Sequence, residues 1–144
     1  PHEDEVIYLE AMYPVESFNL MRVILGERAQ MYCTGIGKAV LAFLPEMVRD
    51  AYINKELTAY TEHTITDRDE LMEELRRTRE RGYSVDNMEH EFGVKCVGMP
   101  IFNRKGAVEA AISVSGPSLR FSEERIEEIA GILKTYVEKI QERM

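Results

Sequence analysis

This sequence is short of positive charge. Its 18 Lys and Arg stand against 26 Asp and Glu, a net charge of −8 at neutral pH, and such a chain lacks the basic surface that displaces counterions from nucleic-acid phosphates. Direct binding of nucleic acid by these residues is disfavoured, and the charge provides solubility instead. Cysteine is scarce too: Cys33 and Cys96 both stand in apolar contexts, which gives no disulfide framework and points to a reducing compartment. No run approaches the roughly 20 apolar residues of a membrane-spanning helix, and no secretory leader pattern opens the chain. Repeats, linkers and low-complexity stretches are missing. What remains is a soluble cytoplasmic domain, residues 1–144, whose 44 % hydrophobic content suffices for one core.

The most informative stretch is 82–117. Two apolar runs, 93–102 and 110–117, flank the turn residues Asn103, Arg104, Lys105 and Gly106, and Gly116-Pro117 closes the second; this is a hairpin pattern. Successive side chains leave a strand on opposite sides. Val94, Cys96 and Gly98 therefore share a face with Ala111, Ser113 and Ser115, while Val97, Met99, Ile101, Ile112 and Val114 form the other. The second face is bulky enough to lie under a helix. The first is small and carries hydroxyls and a thiol, which suits either the wall of a polar-ligand pocket or a close helix contact whose serines bond to nearby carbonyls.

Elsewhere, alternation predicts strands at 6–11 and 18–25 and a short one at 83–86, with a polar loop at 87–92. Ile36, Ala39, Val40 and Phe43 have helical spacing behind a Thr34 cap. Gly35 and Gly37 in its first turn cost about 1 kcal/mol each relative to alanine, so something approaches that backbone closely. It is either an anion on the unpaired N–H groups or a strand needing clearance. A phosphate loop is excluded, because Ala39 follows Lys38 where Ser or Thr is required. Further helices are expected at 45–53, with Pro45 first; at 67–81, capped by Thr66, ended by Gly82 and burying Leu71, Met72, Leu75 and Thr78; and at 123–144, capped by Ser122, with Ile126, Ile129, Leu133, Tyr136, Val137 and Ile140 on one face. The acidic first half and basic second half of 67–81 complement the helix dipole and read as a solvated face.

Six pieces occur in order: Thr34-Gly-Ile-Gly-Lys-Ala39, Thr64-Ile-Thr-Asp67, Arg79-Glu-Arg-Gly-Tyr83, Asp86, Gly93-Val-Lys-Cys96 and Ile112-Ser-Val-Ser-Gly-Pro117. Together they resemble the C-terminal effector-binding domain of the IclR family of bacterial transcription regulators, over nearly the whole chain. The resemblance implies an α+β, GAF-like fold, an antiparallel sheet flanked by helices. It implies a sensor of small metabolites, often organic acids, that acts through a winged helix-turn-helix DNA-binding domain not present in these residues, in a homodimer or homotetramer. The effector site it implies uses the backbone of Gly35 and Ile36, the side chains of Asp86, Val94, Cys96, Ser113 and Ser115, and Met21 as an apolar wall.

In such a site an effector carboxylate would accept bonds from the N–H groups of Gly35 and Ile36 and from Ser113 and Ser115. Asp86 would face a hydroxyl, an amine or water unless protonated. Three rivals carry less. A Cys96 nucleophile has no histidine placed as its base, and buried cysteine is commonly inert. Metal binding by Cys33, Cys96, His63, His90 or Asp86 lacks ligand spacing. A pure assembly module would not need the hollow polar face. The expectation is a non-enzymatic sensor without cofactor or metal.

Overall fold

The structure is a computed structural model and describes residues 1–14 and 25–144. In chain order its elements are β1 (Glu5–Ile7), β2 (Arg28–Gln30), α1 (Gly35–Leu41), α2 (Glu46–Ile53), α3 (Arg68–Arg81), β3 (Ser84–Asn87), β4 (Val94–Phe102), β5 (Val108–Pro117), a 3-10 turn (Ser118–Arg120) and α4 (Glu123–Gln141). β3, β4 and β5 form an antiparallel sheet in that order, and β1 pairs with β2. The fold is α+β and GAF-like, as expected.

The hairpin forms as its turn chemistry dictates. Asn103 Oδ1 accepts from the N–H groups of Lys105 and Ala107, and Gly106 takes φ +77°, a left-handed conformation that glycine adopts without steric cost. Period two then sorts the two faces. Val97, Met99 and Ile101 lie under Ile126, Ile129, Ala130, Leu133 and Val137 of α4, steps of three and four that keep one helix face inward. The opposite face receives α1, whose Val40 and Leu41 join a second core with Met31 just after β2, Ile53 of α2, and Leu71 and Leu75 of α3.

Several boundaries move. The first strand is shorter than 6–11, although Tyr8 continues its pairing to Glu27 and Gly26. β2 has no sequence signal, since Arg-Ala-Gln lacks β-branched residues. The strand expected at 18–25, with Met21, falls on 15–24, outside the described residues; Leu25 itself lies in a turn with Gly26. Asp67, not Thr66, caps α3: its carboxylate accepts from Glu70 N–H, and a charged acceptor also complements the dipole. Met72 is only half-buried. On α4, Tyr136 is 57 % exposed and Ile140 lies outside the buried stripe. At 100° per residue Ile132, Tyr136 and Ile140 make a separate outer stripe.

Candidate functional site

Strand register builds the site in rungs. Asp86 stands opposite Cys96, which stands opposite Ser115; the next rung is Ser84, Gly98 and Ser113. α1 closes over the second rung. A Cβ on Gly98 would lie 2.3 Å from the Gly35 carbonyl oxygen, and one on Gly35 would lie 2.9 Å from Cys96 Cβ. Both glycines thus serve the close helix-to-strand contact. Ser84 Oγ fastens it, donating to the Gly35 carbonyl at 2.5 Å. Gly37 N–H is taken by Thr34 Oγ1 at 3.1 Å, whereas among the described residues the N–H groups of Gly35 and Ile36 have no partner.

The first rung stays polar. Cys96 Sγ and Ser115 Oγ are 2.8 Å apart, and Asp86 is the cross-strand neighbour of Cys96, with its carboxyl within electrostatic reach of the thiol. Exposure grades along it: Asp86 is 3 % and Cys96 7 % exposed, and Ser115 is exposed; Ser113, on the next rung, is half-buried. Ile36 and Val94 are buried as well. Seven of the expected site residues therefore gather where α1 meets the sheet; Met21 lies outside the described residues. Clefts of about 320 and 500 Å³ lie elsewhere on the described residues, and none of the seven lines either.

Electrostatics set the character of the rung. Burial pushes the Asp86 carboxyl from 3.8 up to about 7, and Glu89 adds to the rise, against Glu89 N–H, Lys38 and Cys96, which lower it. Near neutrality the carboxyl is therefore half protonated and can donate as well as accept. Burial likewise pushes the Cys96 thiol up to about 12, with Asp86 contributing. Cys96 is a thiol at neutral pH, a weak hydrogen-bonding group and not a ready nucleophile. Tyr8, pushed up to about 12 by burial, is within electrostatic reach of Cys96 and Asp86.

Behind Asp86 lies a buried ion pair that the sequence reading missed. Lys38 of α1 is 0 % exposed; its Nζ donates to both Glu89 carboxylate oxygens at 2.8 Å and to the Val85 carbonyl at 2.5 Å. Glu89 Oε2 also accepts from Asn87 N–H, and Glu89 N–H donates to Asp86 Oδ1 at 2.8 Å. The loop expected to be merely polar is thus tied to α1 and folded back on Asp86, with Met88 at φ +58°. A lysine inside the apolar turn of α1 was the available signal, because a lysine with no route to water needs a buried carboxylate. Among the described residues no group of three or more His, Cys, Asp or Glu is arranged to hold a metal ion. His63 stacks on Phe92 and His90 lies against Tyr60.

Residues 2–142 match the family described as bacterial transcriptional regulator IclR, C-terminal. The chain belongs to the IclR family. It is 38 % identical over 146 residues to the HTH-type transcriptional regulator KdgR of Escherichia coli, covering 99 % of this chain and 54 % of that protein. This IclR-family domain thus spans about half the length of the curated relatives it matches. The crystal structure of Thermotoga maritima IclR superposes with a TM-score of 0.94 at 39 % identity, covering 99 % of this chain and 58 % of that one. The inducer-binding domain of Acinetobacter PobR, a double mutant in complex with 3-hydroxybenzoic acid, superposes with a TM-score of 0.85 at 27 % identity, covering 96 % and 82 %.

Proposed function

We propose that this domain is the sensing half of a transcription regulator and that the sheet face carrying Asp86, Cys96, Ser113 and Ser115 takes a small carboxylate bearing a hydroxyl or keto group. The observation that carries this reading is the graded polar rung, which runs from a buried carboxyl near its titration point to a solvent-facing hydroxyl across three strands. Ser113, Ser115 and the N–H groups of Gly35 and Ile36 donate to the effector carboxylate. Asp86 faces its hydroxyl or keto oxygen, donating when protonated. Ile36, Val94 and Met21 supply apolar contact. The inducer-binding domain of PobR, similar in fold, carries an acid of this class, which supports the choice.

Binding alters transcription only through unequal affinity for two arrangements of the assembled protein. DNA is read by a separate winged helix-turn-helix module, in a cytoplasmic homodimer or homotetramer, and the domain itself performs no catalysis. Calorimetry with 3-hydroxybenzoate and a panel of hydroxy and keto acids tests the site. A hydrogen bond to a charged group is worth about 1.5–3 kcal/mol, so Ser113→Ala and Ser115→Ala should each weaken the best acid about tenfold or more. Unchanged affinity in both variants removes these residues from the site.

A further inference from the structure

We propose that the cleft between the end of α3 and the middle of α4 is a second ligand site, for a small apolar molecule carrying one negative charge. Its volume is about 500 Å³, within the usual range for small-molecule sites. It opens at the edge of β4 that β3 leaves bare, since the last β3–β4 pair is Ser84 with Gly98. Phe43, Met99 and Phe102 give it an apolar floor, with Phe43 and Phe102 edge to face at 5.1 Å.

The bare edge does not invite a strand. Pro100 has no N–H, and Phe102 N–H is already donated to Gln141 Oε1 at 2.8 Å, so backbone pairing with a peptide is blocked. Recognition falls to the floor and the rim. On α3 the other C-terminal arginines are neutralised: Arg76 by Glu73 and Glu80, Arg77 by Glu73 and Arg81 by Glu74. Arg79, at the rim, has no carboxylate within salt-bridge distance among the described residues and donates only to the Ala42 carbonyl, at 3.2 Å. Arg49 and Arg76 are its cationic neighbours, with Asp50 and Glu46 compensating less. In a chain of net charge −8, a half-buried guanidinium left to a single carbonyl is the natural counter-charge for an anion.

The α4 wall adds an independent sign. Gly131 interrupts a 19-residue helix, at a cost in helix propensity, yet a Cβ there would meet nothing within 4 Å. No packing demand explains the glycine, and what it supplies is clearance in the cleft. Glu127 and Glu138 stand on this same wall with Lys134 between them, so the α4 side carries two carboxylates to one ammonium and the Arg79 rim is the more positive side for a negative head group.

NMR titration of the 144-residue chain with octanoate, and separately with octan-1-ol, tests the proposal. Octanoate should shift the amides of Tyr83, Phe102 and Gly131 and leave Ser113 and Ser115 unmoved, with octanol at least tenfold weaker. Arg79→Gln should weaken octanoate about tenfold and leave octanol unchanged; Gly131→Leu, which fills the space with a better helix former, should abolish both. Equal binding of acid and alcohol, indifference to Arg79→Gln, shifts centred on Ser113 and Ser115, or no response to millimolar octanoate would each overturn it.

Discussion

Lys38→Met is expected to destabilise the domain by about 3–5 kcal/mol, the usual cost of removing one partner from a buried ion pair. The Lys38 ammonium spends its donors on Glu89 and the Val85 carbonyl, with Glu74 Oε1 at 3.5 Å. Glu89 is buried almost as fully as its partner. Without the lysine, a carboxylate is left in the interior beside the Asp86 carboxyl, whose rise Glu89 already promotes. The substitution itself fits sterically, because methionine follows much of the lysine stem. Lys38→Met with Glu89→Leu should therefore recover most of the loss, since replacing both charges removes the desolvation problem together with the attraction. Urea denaturation of the two variants provides the comparison, and a near-neutral single variant would mean that water reaches Glu89.

Asp86→Asn should stabilise the domain, and by an amount that depends on pH. The Asp86 carboxyl titrates near 7 in the folded domain against 3.8 ordinarily, a gap equivalent to roughly 4 kcal/mol. The sign follows from proton uptake. Between about pH 4 and 7 the folded chain holds this proton and the unfolded chain does not, so the group's contribution is most favourable below its unfolded value and is lost as pH rises through the folded one. Above about 7 both states are ionised and the cost is constant. The asparagine carries no such slope and can still accept Glu89 N–H. The stability difference, variant minus parent, should thus be small near pH 4, grow through the window and level off at roughly 2–4 kcal/mol by pH 8. Thermal denaturation across that range checks it, and a flat difference would contradict the assigned titration.

Much of this site was legible in the chain. Side-chain alternation in β4 and β5 separated Cys96, Ser113 and Ser115 from the α4-facing residues, because a strand's period is fixed by its backbone. The short residues in 93–102 left two readings open, a hollow or a close contact, and the structure divides them by rung: Gly98 clears the Gly35 carbonyl, while Asp86, Cys96 and Ser115 remain polar. What alternation could not reach was tertiary. Glu89 sits in an irregular loop with no period to place it, and its burial depends on a lysine 51 residues away. Tyr136 followed the expected spacing on α4, yet it lies outside the sheet's shadow and turns its ring to Lys139. The Asp67 cap shows the usual one-residue uncertainty of helix ends.

Backbone and side-chain NMR of the uniformly labelled domain, titrated with the tightest acid from the calorimetric panel, tests the proposed sensor site most directly. If that site is correct, the largest shifts fall on Ile36, Asp86, Cys96, Ser113 and Ser115, and the Asp86 carboxyl carbon changes its titration on binding. Shifts concentrated instead at Tyr83, Phe102 and Gly131, or spread evenly with Asp86 unaffected, would show that the effector is read somewhere other than this sheet face.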